Sequence, residues 1–278
     1  MNQNPHLRFS WPVEAGREER LKGDFVSLLK ESGILFPFSA PAELPTKPTS
    51  ERLWVESTTI LAFYYKEGVI VAGDRRATAG NLVIHERAEK VISIDRNTIL
   101  AIAGTPATAF EIARVLQHSF EFYRRSQLQP LSVAAKVRMV SKLLKDNMAL
   151  SLQGIGIVVP LLALADPFGK EEPTIYFYDA LGAQFQTVDF AASGSGSPAV
   201  RSILQYINRW SGKPSIERNE EEAIRLALQL LDIAAESDTA TGGVNRRNRI
   251  YPQVKLLKKS GVVEIAQERL AELFAEAG

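Results

Sequence analysis

Residues 58–74 read TTILAFYYKEGVIVAGD. Thr59 to Tyr65 and Val69 to Ala72 are apolar runs rich in β-branched and aromatic residues, and Lys66-Glu67-Gly68 between them is a turn. Two such runs around a short turn predict a hairpin of short apolar strands. The same texture returns at Lys90–Ile94 and Thr98–Ala103, then at Ile157–Ala165, Thr174–Tyr178, Gln186–Phe190 and Tyr251–Lys258. Helical periodicity separates these strands. It runs through Thr108–Arg125, where Phe110, Ala113, Leu116 and Phe120 recur every three or four positions, and through Val133–Leu152, Ala199–Trp210, Glu221–Ala235 and a charged helix from Gln267. Strands, two helices, strands, two helices predict one layered α+β domain with helices outside two packed sheets. Thr59–Gly73 and Thr174–Gly194 both read as strand, turn, strand, glycine, a hint of internal pseudo-symmetry.

Upstream of Thr58 the texture changes. Six of the fourteen prolines lie in residues 1–57, four of them at Pro37, Pro41, Pro45 and Pro48. This reads as a linker. Before it, Phe25, Leu28 and Leu29 recur at helical spacing among Arg17, Glu18, Glu19, Arg20 and Lys22, the pattern of a short amphipathic helix. Composition leaves two readings of 1–57 open, a flexible tail and a removable leader.

The whole chain has 278 residues, is 45% hydrophobic and 23% charged, and carries a formal net charge of +1. That is enough for a sizeable core, and no broad field would draw nucleic acid or an anionic membrane. Without cysteine there is no disulfide, thiolate metal site or cysteine nucleophile. No apolar run reaches a membrane-spanning length, and Met1–Trp11 lacks the pattern of a secretory signal, so a cytoplasmic address is expected. His6, His85 and His118 are scattered, and no G-x-S-x-G elbow occurs, which leaves serine–histidine catalysis and zinc, iron or haem sites unsupported. No cofactor or metal is expected. Ser193-Gly194-Ser195-Gly196-Ser197 lacks a Walker lysine and reads as a tight loop opening the next helix. One hydrolytic route needs neither histidine nor cysteine: a threonine hydroxyl activated by its own freed α-amine, which titrates near neutrality.

The residues carry a family resemblance at this point. Thr58-Thr59-Ile60 opening a hairpin, Ala72-Gly73-Asp74-Arg75-Arg76-Ala77-Thr78, Lys90-Val91, Ile102-Ala103-Gly104-Thr105, Gly194-Ser195-Gly196-Ser197 and Ser237-Asp238-Thr239-Ala240-Thr241-Gly242-Gly243 resemble, in order and spacing, the successive signatures of proteasome β-subunits, most of all the actinobacterial kind. The resemblance covers Thr58 to the C-terminus. It implies the four-layer αββα sandwich of N-terminal nucleophile hydrolases, a leader at 1–57 and a catalytic domain at 58–278.

The resemblance also implies roles. Thr58 would be the nucleophile and, once Ser57–Thr58 is cut, its amine the base. Lys90 would favour the alkoxide, held charged by Asp74, and Gly104 would offer its N–H to the oxyanion. Ser195, Asp238 and Thr241 would support the amine and a catalytic water. Ala77, Ala88, Ile92, Ile102, Pro106 and Phe110 would form the primary pocket, and Thr78 and Gly104 would pair with the substrate backbone. The implied partners are identical β-subunits in a heptameric ring, α-subunits, a ring ATPase and unfolded protein. The departure is Ser57, where the family usually has glycine, which bears on the ease of self-cleavage. Two other readings remain: a ring subunit that keeps its leader without catalysis, and a free amidase.

Overall fold

The structure is a computed structural model that describes residues 58–79 and 82–275. The expectations for residues 1–57, including the leader helix, the linker and Ser57, lie outside the described residues.

The opening hairpin forms as its sequence requires. β1 (Thr59–Tyr65) pairs antiparallel with β2 (Gly68–Gly73) in the register Thr59-side to Gly73, Ile60 opposite Gly73 and Tyr65 opposite Gly68. Alternate side chains of β1 leave on opposite faces. Leu61, Phe63 and Tyr65 enter one core, whereas Ile60 and Ala62 enter another. A strand apolar at every position is therefore what two-sided burial demands.

β1 and β2 are the middle of a five-stranded sheet ordered β10-β1-β2-β11-β12, where β10 is Phe190–Gly194, β11 Gln253–Lys258 and β12 Gly261–Glu264. A second five-stranded sheet runs β5-β6-β7-β8-β9: Val91–Asp95, Thr98–Ala101, Leu161–Leu164, Thr174–Tyr178 and Gln184–Gln186. All pairings in both are antiparallel. A small hairpin, β3 (Ala77–Ala79) with β4 (Leu82–His85), stands apart from both sheets.

Three buried clusters define the packing. Ile60, Ala62, Val69 and Val71 of the first sheet meet Val91, Ile99, Ala101, Leu161 and Ile175 of the second. The other face of the first sheet packs on three helices, Ser197–Trp210, Glu220–Ser237 and Gln267–Ala275, here α4, α5 and α6. The other face of the second packs on α1 (Pro106–Gln127) and α2 (Val133–Asp146). α5 starts on a capping box in which the Asn219 side chain accepts the Glu222 N–H and Glu222 accepts the Asn219 N–H.

Two sequence expectations are redrawn. The helix expected over Val133–Leu152 breaks at Asn147, whose side-chain amide donates to the Gly156 carbonyl at 2.7 Å, and a short α3 (Met148–Leu152) follows. The strand expected over Gln186–Phe190 is instead a crossover between sheets. β9 ends at Gln186, the Thr187 N–H still bonds Ile175 of the second sheet, and the Asp189 carbonyl already accepts the Tyr64 N–H of the first. Thr174–Gly194 is thus no copy of the Thr59–Gly73 hairpin, because its last strand joins β1 rather than β9. β3, β4 and β12 were absent from the sequence reading.

Because the inter-sheet core sets the spacing of everything above it, Ile99→Ala is expected to cost about 2–5 kcal/mol of stability. Val188→Ala, on an 87% exposed side chain, should stay within about 0.5 kcal/mol. Chemical denaturation of the two variants checks the contrast.

Candidate active site

Asp74 leaves the end of β2 fully buried, and four donors surround its carboxylate. Oδ1 accepts the Thr59 N–H and the Lys90 ammonium, each at 2.8 Å. Oδ2 accepts the N–H groups of Arg76 at 3.0 Å and Gly242 at 2.9 Å. Lys90, 4% exposed, also donates to the Arg76 carbonyl at 2.5 Å. Its backbone is pinned from β11, where Gln253 Oε1 accepts the N–H groups of Lys90 and Val91 at 3.1 and 2.9 Å. The ammonium is thus paired, out of solvent, with a carboxylate that has no lone-pair direction left unused.

Thr58 sits just before β1 and is 5% exposed. Its carbonyl accepts the Ser195 N–H at 3.0 Å. Gly194 lies against that carbonyl with φ +95°, and a Cβ there would fall 1.6 Å from the Thr58 oxygen, so only glycine lets β10 close on the residue.

Behind Thr58 runs a chain of hydroxyls. Ser195 Oγ donates to Asp238 Oδ2, and Thr241 Oγ1 donates to the same oxygen at 2.5 Å. Thr241 has no second proton, so in its 2.6 Å contact with Thr59 it accepts, and Thr59 Oγ1 in turn accepts the Gly196 N–H at 2.9 Å. Burial alone would raise the Asp238 pKa. The hydrogen bonds from Ser195, Thr241 and the Ala240 N–H, with the attraction of Lys90, outweigh it and hold the carboxyl below the usual range.

Gly104 follows β6 with φ +115°. It lies opposite Val158 in a single antiparallel bridge, flanked by bonds from Thr105 N–H to the Ile157 carbonyl and from Val159 N–H to the Ala103 carbonyl. In such a pair the central residue turns its own N–H away from its partner strand. A Cβ at Gly104 would lie 2.0 Å from the Ile157 carbonyl oxygen, which excludes any other residue without moving backbone.

Thr58, Lys90 and Gly104 line one cleft of about 460 Å³ together with Ala77, Ala88, Ile102, Pro106 and Phe110. Ile92 is not among its lining residues and packs instead against the core under α1 and α2. Thr78 is buried on β3, paired with Val83, and its hydroxyl has no hydrogen-bond partner among the described residues. Sequence reading missed His85, Arg87 and Glu89, which also line the cleft. It also missed Thr59 and Gln253. A polar residue inside an otherwise apolar buried strand is the signal that would have found these two, since it needs a partner.

Known proteins resemble this chain in sequence. A family described as "Proteasome subunit" matches residues 55–246. A protein of Jonesia denitrificans named "Proteasome subunit beta" is 35% identical over 237 residues, 84% of this chain and 76% of that one. "Proteasome subunit beta 2" of Thermomonospora curvata is 38% identical over 216 residues, 78% and 74% of the two chains. A "Proteasome subunit beta" of Rhodococcus opacus is 36% identical over 220 residues, 78% and 72%.

Removing the carboxylate takes from the buried Lys90 ammonium its 2.8 Å ion-pair partner, so Asp74→Ala should lose about 3–5 kcal/mol. Adding Lys90→Met to that variant should recover part of the loss. Denaturation midpoints of the single and double variants decide it; equal stabilities would mean the pair is uncoupled.

Proposed function

The chain belongs to the proteasome subunit family, and from that premise we propose that it is a β-type core-particle subunit that acts as a threonine endopeptidase once the Ser57–Thr58 bond is cut. The observation that carries the reading is the buried Lys90–Asp74 pair opening into the same cleft as Thr58 and Gly104. Residues 1–57 are the leader and 58–278 the catalytic domain. The two sheets with helices on their outer faces are read as the αββα sandwich of N-terminal nucleophile hydrolases.

In this mechanism the Thr58 α-amine takes the hydroxyl proton, directly or through water, and Oγ1 attacks the scissile carbonyl. The Lys90 charge lowers the cost of the alkoxide, and the Gly104 N–H receives the oxyanion. The C–N bond breaks as the leaving amine takes the proton, leaving an ester on Thr58. Water then attacks that ester and restores the hydroxyl. Ser195, ionised Asp238 and Thr241 orient the amine side of the residue. Ser57, at the bond that must first be cut, lacks glycine's backbone freedom, which makes processing the slow step. The working assembly is a heptameric ring of identical subunits against α-subunits in the cytoplasm, fed with unfolded protein by a ring ATPase. Among the described residues no helix is long and apolar enough to cross a membrane.

Thr58→Ala, in a particle co-expressed with the α-subunit, should retain its leader by intact mass and hydrolyse fluorogenic peptides only at background. Peptidase activity above background in that variant would overturn the assignment.

The cleft walls Ala77, Ala88, Ile102, Pro106 and Phe110 are apolar, and each Å² of apolar surface they cover is worth about 25 cal/mol. A substrate cation would lose hydration against these apolar walls and be repelled by Lys90, with Glu89 the one carboxylate on the lining. Cleavage after leucine, tyrosine or phenylalanine should therefore exceed cleavage after lysine or arginine by about tenfold or more. A peptide panel varied only at the cleaved residue measures it, and faster hydrolysis after arginine would show that these walls do not form the pocket.

A further inference from the structure

Thr59 is fully buried and is not among the residues that line the cleft. Strand alternation puts its side chain on the face of β1 that Leu61 and Phe63 turn toward the helices. Valine has the same branched shape, so packing does not call for the hydroxyl. A buried hydroxyl without partners carries a desolvation cost, and this one is bonded on both sides. Its oxygen accepts the N–H of Gly196, the residue that opens α4, at 2.9 Å, and it donates to Thr241 Oγ1 at 2.6 Å. Thr241 in turn donates to Asp238 Oδ2 at 2.5 Å. Each hydroxyl in this line accepts from the group before it and donates to the next, so the line is polarised toward the Asp238 carboxylate.

The backbone beside it is tied elsewhere. The Thr59 N–H donates to Asp74 Oδ1 at 2.8 Å, and the Thr58 carbonyl accepts the Ser195 N–H at 3.0 Å. These are the two polar ends of the planar peptide unit that joins Thr58 to Thr59. In a trans peptide they point to opposite sides of the chain, so their two bonds fix a line across the plane and leave the plane able to rock about it. The two Cα atoms, about 3.8 Å apart, lie on either side of that line, and a rock of about 30° would carry the Thr58 Cα about 1 Å out of place. The Thr59 carbonyl, which accepts the Asp74 N–H at 3.1 Å, belongs to the next peptide unit, so φ and ψ of Thr59 can both absorb the motion it would resist. The side chain hangs from the Cα itself, through the stiff χ1 of a β-branched residue. Held at Gly196 and Thr241, it is the third fixed point that stops the rocking.

We propose that Thr59 is a positioning residue for the reaction: its hydroxyl, anchored to Gly196 and Thr241, fixes the tilt of the Thr58–Thr59 peptide and so holds the Thr58 side chain at its place in the cleft. The proposal rests on the peptidase reading of the cleft. Thr59 lies behind the strand and acts only through its neighbour, without touching substrate. A misplacement on the order of 1 Å can cost about 10²-fold in rate, which sets the scale of the effect.

The test uses the full chain co-expressed with the α-subunit and compares Thr59→Val, which keeps the shape and loses the hydroxyl, with Thr59→Ser, which keeps the hydroxyl. Rates on a fluorogenic peptide with leucine at the cleaved position are normalised to the fraction of subunits that intact mass shows to be processed. The valine variant should lose about 10- to 100-fold in kcat with KM within about threefold of the unmodified particle, and the serine variant should recover kcat to within about threefold. A valine variant that assembles but keeps its leader, while the serine variant releases it, supports the proposal equally, because the same nucleophile performs both cuts. Should the valine variant not assemble, Thr59→Ala takes its place with the same expectation. A kcat loss below about threefold, a loss carried by KM, or a serine variant as slow as the valine one overturns the proposal. Failure of both the valine and alanine variants to assemble also overturns it, and assigns the hydroxyl to folding. An unmodified particle that cuts no peptide would sink the peptidase reading itself, whereas normal turnover that is insensitive to the hydroxyl sinks this inference alone.

Discussion

Everything at the site hangs on the carboxylate of Asp74. It is fully buried, and an isolated charge in such a place would be prohibitive. Its four donors come from separate parts of the chain: the first strand at Thr59, its own turn at Arg76, the start of the second sheet at Lys90, and the loop after α5 at Gly242. One ion therefore joins the two sheets and the loop that carries the Asp238–Thr241 hydroxyls. Its charge is compensated by the Lys90 ammonium rather than by solvent, and this keeps a cation on the wall of the cleft that Thr58 and Gly104 also line. Fold and chemistry share a single constraint here.

The parts of the fold that could be read from sequence were those set by local periodicity. β1 came out with its bounds unchanged at Thr59–Tyr65, because a strand buried on both faces is apolar throughout and is bounded by a polar turn. α5 was legible for the opposite reason, an amphipathic period over Glu221–Ala235, whereas its capping asparagine came only with the structure. What was not legible depended on tertiary contacts. Nothing in Val133–Leu152 announces that Asn147 will turn its amide to Gly156, and Gln186–Phe190 has the composition of a strand although its two ends belong to different sheets.

The site divides similarly. Thr58, Asp74, Lys90 and Gly104 were singled out by a family resemblance, and the structure brings them together; spacing alone would have left Asp74 a charged turn and Lys90 a strand end. Arg87 and Glu89 escaped because residues 86–90 are not in a regular strand, so alternate positions do not mark alternate faces, and His85 because it ends β4, a strand that local periodicity did not announce. Ile92, one residue past Val91 on β5, packs against the core under the helices, as Ile102 also does while lining the cleft.

The closure of Gly194 over the Thr58 carbonyl has a consequence for how this residue is mounted. Among the described residues its grip comes from the downstream side: the carbonyl is clamped by Ser195, and the next residue is tied through both backbone and hydroxyl to Asp74, Gly196 and Thr241. Like a gemstone set from beneath, the residue is mounted on the folded body through the atoms that follow its own nitrogen.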